Sequence, residues 1–164
     1  MNVFRTILDG LILSAIATVF ILITMRLKPR IWLQDYPDDI QALVPPKTEE
    51  EKRLSLVLGI PFLILLFAVP FISTLALESL YQGDVSFFLL AANAFGVAFV
   101  FNVIDWLVLD WLMFCTITPQ LVVIPGTEGA AGYKDYWFHF RGFLIGTVFS
   151  AVVGLVIGAI VSLV

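Results

Sequence analysis

The chain has 164 residues, of which 60% are hydrophobic and only 13% are charged, and its mean hydropathy is +1.02. A soluble domain carries about 25% charged residues, so this composition excludes a soluble globular protein and predicts a protein of the lipid bilayer. The formal net charge of −4 says little about partners, because the placement of charges matters more than their sum. We predict no nucleic-acid partner.

Four apolar runs predict four transmembrane helices, since about 20 apolar residues are needed to cross the hydrocarbon core. No length remains for a separate soluble domain. We therefore predict one all-α transmembrane domain over residues 1–164, an integral membrane four-helix bundle whose two cytoplasmic connections contain short interfacial helices. The predicted spans are 3–25, 54–77, 86–113 and 142–164, and the predicted connections are 26–53 and 118–141.

Positive charge is concentrated in the segment 26–53, which holds six of the nine Lys and Arg residues. The positive-inside rule places this segment in the cytoplasm, so we expect a protein of the cell membrane with both termini outside. Thr48 and Glu51 have the spacing of a capping box, which predicts a helix that continues into the second span. Within that span Pro61 and Pro70 each remove a backbone donor and predict bends.

The third apolar run contains an unusual set of polar side chains. Between residues 85 and 124, Asp105 and Asp110 are the only charges. A carboxylate in hydrocarbon costs at least a few kcal/mol unless it pairs, becomes protonated or reaches water. At 100° per residue, Asn102, Asp105 and Asp110 fall within about 140° of helix surface, so a shared polar face is expected.

The connection before the fourth span returns to the same membrane face and carries His139 and Arg141. We expect Arg141 to pair with Asp105 or Asp110, which lowers the cost of burying the carboxylate. Because an ordinary histidine changes its charge near neutral pH, we expect His139 to be suited to relay protons. Three interpretations of this cluster stay open: an ion-pair latch between the third and fourth spans, a proton or cation pathway, and an interfacial catalytic site. The candidate polar cluster is Asn102, Asp105, Asp110, His139 and Arg141.

The fourth span has a small residue at every fourth position. Such a surface lets another helix backbone approach closely, and its partner is either the first span of the same chain or another copy. The predicted helix-packing residues are Gly142, Gly146, Ser150, Gly154, Gly158 and Ser162.

The sequence contains no pattern that indicates a cofactor or a metal. The segment PGTEGAAG lacks the GK[ST] ending of a phosphate-binding P-loop. The single His139 excludes bis-histidine haem ligation within one chain, and no close ligand spacing predicts a metal site. Cys115 has no histidine near it in the sequence, so no pair of nucleophile and base is predicted.

The function we expect is structural: a small multi-pass membrane protein that acts in assembly, as a homo-oligomer or as an accessory subunit of a larger membrane complex. Its expected partners are the lipid bilayer and either a second copy or another membrane subunit. One alternative is a proton- or cation-linked transporter or channel that uses Asp105 and Asp110. The other is an interfacial membrane enzyme that acts on a lipid-like substrate, although enzymatic activity is not the favoured prediction.

Overall fold

A computed structural model describes residues 2–82 and 84–163. The regular structure of these residues is entirely helical. Four of the helices in these described residues are long and apolar enough to cross a membrane, so the chain is a multi-pass membrane protein; they are Val3–Leu27, Glu49–Leu80, Phe87–Ile117 and Tyr136–Val161. In chain order the elements are α1 (Val3–Leu27), a 3₁₀ helix (Pro29–Asp35), α2 (Asp38–Ala42), α3 (Glu49–Leu80), α4 (Phe87–Ile104), a π-helix (Asp105–Ile117), a second 3₁₀ helix (Ala131–Lys134) and α5 (Tyr136–Val161).

The long helices extend beyond the predicted apolar spans because polar residues cap them. The Thr48 side chain accepts a hydrogen bond from the Glu51 backbone at 3.2 Å, and the Glu51 side chain accepts one from the Thr48 backbone at 2.8 Å. The predicted capping box is thereby confirmed. The last helix begins before residue 142, because the Asp135 carboxylate accepts a hydrogen bond from the Phe138 backbone at 2.8 Å.

The third long helix changes its hydrogen-bonding pattern at Asp105. The chain is α-helical up to Ile104, and from there it follows a π-helix, in which each backbone N–H donates to the carbonyl five residues earlier. At the end of this segment the Thr118 N–H donates to the Met113 carbonyl at 2.8 Å. Side chains separated by five residues therefore lie one turn apart on the same face.

The two ends of the helical unit differ in structure. At one end, which we call the capped end, residues 28–48 and 118–135 pack against each other. The Tyr36 hydroxyl there donates a hydrogen bond of 2.9 Å to the Val122 carbonyl, and a shared apolar core lies beneath it. The opposite end, which we call the terminal end, contains the beginning of α1, the end of α5 and the short connection from α3 to α4.

The α4 helix lies at the centre and contacts the other three long helices. On the α1 side, a Cβ atom added at Gly10 would lie 2.5 Å from the Val100 Cβ. On the α5 side, a Cβ atom at Gly158 would lie 2.8 Å from the Ala91 backbone nitrogen, and one at Gly154 would lie 2.8 Å from the Ala91 carbonyl oxygen. These glycines of α5 therefore approach α4 of the same chain, a partner that the sequence analysis did not name.

We expect Gly158→Ala to lower the free energy of unfolding by about 1–3 kcal/mol, the usual cost of overpacking, because its methyl group meets Ala91 backbone atoms that have no room to move. The control is Gly59→Ala, since no atom lies within 4 Å of the Cβ position at Gly59. This control is expected to be neutral or stabilising, because Ala is the better helix former. Thermal unfolding in mild detergent, followed by circular dichroism, measures the stability of both variants. An equal loss of stability in Gly158→Ala and Gly59→Ala would contradict the close contact at Gly158.

Candidate functional site

A cavity of about 1030 Å³ lies between α3 and α5, and we call it the α3–α5 cleft. Near the terminal end these two helices pack together, where Leu77 shares an apolar cluster with Ile157 and Val161. Towards the capped end the cavity lies between them, and residues of α1 and of the third long helix line the rest of it. Pro70 lies between the two parts of α3 and cannot donate a backbone hydrogen bond, which favours a bend at this position.

The part of the cleft nearer the middle of the helices is apolar. Leu63 on one wall is 65% exposed and Phe149 on the other is 66% exposed, so the edges of the cleft are open on the side where acyl chains of a bilayer lie. This part has the shape and the chemistry to receive an apolar chain. We call it the apolar half, and its wall residues are Phe62, Leu63, Leu66, Phe67, Ile145 and Phe149.

Towards the capped end the lining of the same cleft becomes polar. All five residues of the predicted polar cluster line this one cavity, so the structure brings them together. The first 3₁₀ helix contributes a further carboxylate, from Asp35. We call this part the polar half, and its polar residues are Gln34, Asp35, Asp38, Asn102, Asp105, Trp106, Asp110, His139 and Arg141.

The π-helix explains why Asp105 and Asp110 reach the same cavity. In an α-helix two residues five apart point about 140° away from each other, whereas in a π-helix they lie one turn apart. Trp106 and Trp111 have the same spacing, and their ring centroids are 4.6 Å apart. The α-helical geometry assumed for this stretch is therefore wrong, although both carboxylates do share one site.

Asp110 forms an ion pair with His139, in which the His139 Nδ1 lies 3.0 Å from the Asp110 Oδ1. The expected pair with Arg141 does not form: across the described chain, Arg141 lies within ion-pair distance of neither Asp105 nor Asp110. The ion pair observed between the third and fourth long helices is therefore His139 to Asp110. His139 is only 5% exposed, and its Nε2 has no hydrogen-bond partner among the described residues.

Asp105 differs from Asp110 because none of the residues that the structure describes donates a hydrogen bond to its carboxylate or pairs with it. The charges of Asp110 and Asp35 are close enough to interact with it. The indole nitrogen of Trp106 also lacks a partner within the described part of the chain. The polar half therefore contains an acceptor, the Asp105 carboxylate, and a donor, the Trp106 indole N–H, that the described residues do not satisfy.

The Asn102 amide serves packing, because its hydrogen-bonding groups are used within the protein. Its Nδ2 donates hydrogen bonds of 3.1 Å to the Phe143 carbonyl and to the Thr147 hydroxyl. A Cβ atom at Gly146 would collide with the Asn102 amide, so this glycine makes room for it. Asn102 thus joins α4 to α5 beside the cleft.

A second polar cluster, which was not predicted from the sequence, lies nearer the terminal end and is centred on Asn93. Asn93 is buried; it accepts a hydrogen bond of 2.6 Å from Thr6 and donates bonds of 3.2 and 3.1 Å to Ser73 and Thr74. Ser73 in turn donates to the Asp9 carboxylate at 2.6 Å. The sequence feature that could have predicted this cluster is an amide side chain within an apolar run, because buried polar groups require hydrogen-bond partners.

Cys115 lies beside His139, although the two are far apart in the sequence. It follows Asp110 by five residues, and the π-helix places both on the same face. The resulting set of Cys115, His139 and Asp110 resembles a nucleophile with its base only in composition. Cys115 is fully buried and does not line the cleft, so it presents no thiol to a bound molecule.

Outside the long helices, the environment of the capped end shifts three titration equilibria. Burial raises the pKa of Asp35 to about 6, and the nearby Lys47 ammonium opposes this rise. Burial also lowers the pKa of Lys47, which donates a hydrogen bond of 2.9 Å to Ser55, and Asp35 opposes this shift. The pKa of the Tyr36 hydroxyl is raised by burial as well.

We expect Asp110→Ala and Asp105→Ala to have different effects on stability. Loss of the Asp110 carboxylate removes its hydrogen bond to Nδ1 of the buried His139, which costs about 1–3 kcal/mol. Loss of the Asp105 carboxylate removes no hydrogen bond and is expected to leave the free energy of unfolding unchanged or higher. Thermal unfolding in detergent compares them, and a larger loss in Asp105→Ala would contradict this assignment.

We also expect the free energy of unfolding to depend on pH through Asp35. Its folded pKa of about 6 lies above its ordinary value of 3.8, so the folded chain binds the proton more tightly. Its contribution to stability is therefore greatest below about pH 4 and declines as the pH rises to about 6. The free energy of unfolding, measured from pH 4 to 7, should show this decline in the wild type and in Asp84→Asn, which removes a charge at the terminal end, but not in Asp35→Asn. Identical profiles for the wild type and Asp35→Asn would contradict this prediction.

Comparison with known proteins assigns no family to this arrangement. No protein-family model, no curated protein and no solved structure matches the chain. The function is therefore inferred from the geometry and charge of the cleft.

Proposed function

We propose that this chain is a multi-pass membrane protein that binds one amphiphilic molecule in the α3–α5 cleft. The apolar tail lies in the apolar half, and the polar head lies in the polar half. The observation that carries this proposal is that apolar walls and unpartnered polar groups line a single cavity. An amphiphile is the class of molecule whose two parts match both.

The size and openness of the cleft support this class of ligand. Binding sites for small molecules have volumes of about 300–1,000 Å³, and the cleft lies just above that range at about 1030 Å³. Its edges carry exposed apolar side chains such as Leu63 and Phe149. A lipid-like molecule would therefore enter sideways from the bilayer.

The other functions expected from the sequence have less support. The assembly function relied on the small residues of α5, but Gly154 and Gly158 contact α4 within the chain and are not free to bind a second copy. A transport pathway would have to continue from the polar half towards the terminal end. The Asn93 cluster there is closed by its own hydrogen bonds.

We infer that the capped end faces the cytoplasm and that both termini lie outside the cell membrane. All Lys and Arg residues except Arg5 belong to the capped end or to the adjoining turns of the long helices. The positive-inside rule favours this orientation. The four long helices then form a bundle, the short helices lie at the membrane interface, and the polar half lies at the cytoplasmic boundary.

We expect Gly142→Phe to block the cleft. Gly142 lines the cavity, and no atom lies within 4 Å of its Cβ position, so the ring can occupy the cleft without breaking the packing. Native mass spectrometry of the chain in mild detergent is expected to show one bound amphiphile in the wild type. The variant should retain about tenfold less, which corresponds to about 1.4 kcal/mol of binding free energy.

The control for this experiment is Gly59→Phe, which adds the same ring at a position that is also open but does not line the cleft. It is expected to retain the amphiphile as the wild type does. Equal retention in all three proteins would overturn the proposal. A bound second polypeptide in place of the amphiphile would instead support the assembly function.

A further inference from the structure

We infer that the head of the amphiphile bound in the polar half is an uncharged hydroxyl group, as on an acylglycerol or a long-chain alcohol. This inference rests on the proposed function and names the chemistry of its ligand. Two observations carry it. The polar half contains both hydrogen-bond donors and an acceptor that lack partners among the described residues, and charged side chains of both signs line it.

The unpartnered donors of the polar half are two buried N–H groups. The indole nitrogen of Trp106 and the Nε2 of His139 have no hydrogen-bond partner within the described chain, and both residues line the cavity. His139 is only 5% exposed, and its Nδ1 is paired with Asp110. A histidine in such an ion pair is a donor at both ring nitrogens. Buried polar groups without partners are rare in folded proteins, so an oxygen atom on a bound molecule is the partner that these donors require.

The unpartnered acceptor is the carboxylate of Asp105, which accepts no hydrogen bond from the residues that the structure describes. It lines the same cavity as the two donors. An ether or ester oxygen accepts hydrogen bonds but donates none, so it leaves this carboxylate without a partner. A hydroxyl has one O–H donor and two acceptor lone pairs. It therefore donates to Asp105 and accepts from Trp106 or His139.

The charges around the polar half favour an uncharged head. The charged residues that line the cavity are Asp35, Asp38, Asp105, Asp110, His139 and Arg141. The Lys47 ammonium is also close enough to interact with Asp35. An ammonium head therefore meets like charge from Arg141, and a phosphate or carboxylate head meets like charge from Asp105. Bringing like charges together costs free energy, and a hydroxyl avoids this cost on both sides.

The aromatic residues of the polar half do not offer an open ring face to a trimethylammonium head. Such a head lacks N–H and O–H donors and is bound through the faces of aromatic rings. The Trp106 ring is stacked on Phe143, with centroids 4.4 Å apart and planes at 23°, and its centroid lies 4.6 Å from that of Trp111. The faces of Trp106 are therefore taken by neighbouring rings, and hydrogen bonding is the interaction left for a ligand.

The test compares molecules that share the oleyl chain and differ in the head. The full chain in mild detergent is incubated separately with oleyl alcohol, oleyl methyl ether, oleylamine and oleate at equal concentration, and bound ligand is measured by native mass spectrometry. The alcohol is expected to be retained on the order of tenfold more than the ether, because only the alcohol donates a hydrogen bond to a charged acceptor. The amine and oleate are also expected to be retained less, since each brings a charge that part of the site repels.

Competition between oleyl alcohol and 1-oleoylglycerol then distinguishes the two sources of the hydroxyl. An excess of bound 1-oleoylglycerol indicates an acylglycerol. Any other ratio indicates that a long-chain alcohol suffices. Either result supports the hydroxyl.

Three variants separate the donor of the hydroxyl from its acceptor. Asp105→Ala is expected to bring the retention of alcohol and ether to about the same level, because the acceptor of the O–H is lost. Trp106→Phe is expected to lower the retention of both severalfold and to leave their ratio unchanged, because both molecules present an oxygen to its N–H. The control is Trp32→Phe, which removes an indole N–H that lines the same cavity but already donates to the Thr24 hydroxyl at 2.9 Å. It is expected to retain both molecules as the wild type does.

The outcomes distinguish the head from the cleft. Equal retention of alcohol and ether by the wild type, with Gly142→Phe still blocking both, would overturn the hydroxyl and leave the amphiphile cleft standing. A preference for the amine or for oleate would do the same, and so would a preference for the alcohol that persists in Asp105→Ala. If the wild type retains none of these molecules, the proposed function itself is overturned.

Discussion

The close contact between α4 and α5 is the interaction on which the rest of the structure depends. Gly154 and Gly158 let the two backbones meet near the terminal end, and Gly146 admits the Asn102 side chain between them. This contact fixes the rotation and register of α5, so that His139 comes to lie 3.0 Å from Asp110. Because α5 packs closely on α4, α3 is free to diverge from α5, and the cleft opens between α3 and α5.

The π-helix is the second determinant of the site, since it changes which residues share a face. Its five-residue spacing aligns Asp105, Asp110 and Cys115. Among these, Cys115 is enclosed by the core of the capped end, Asp110 is paired, and Asp105 meets the cavity without a partner. The π-helix therefore places these three residues on one face of the helix, and each of them lies in a different environment. Such irregularities in helices occur frequently at functional sites.

Features that depend on the local sequence were predicted correctly, whereas features that depend on contacts between distant residues were not. Apolar length predicted four long helices, and the spacing of Thr48 and Glu51 predicted the capping box, because both follow from neighbouring residues. The convergence of the five polar residues was also predicted, but their partners were not. Arg141 was expected to pair with a carboxylate, yet the inner side of α5 presents His139. The π-helix violates the periodicity on which such predictions rest.

The two polar clusters of this chain argue together for a bound molecule. Asn93 shows how the fold treats a polar group that serves only structure: its amide is joined to Thr6, Ser73 and Thr74 from neighbouring helices. The same four helices leave Asp105 without any such donor in the described chain, beside a cavity large enough for a ligand. A carboxylate near hydrocarbon is costly unless it pairs, becomes protonated or reaches water, and a donor group on a bound molecule offsets this cost. An amphiphile whose polar head carries a hydrogen-bond donor supplies it and fills the apolar half in the same step.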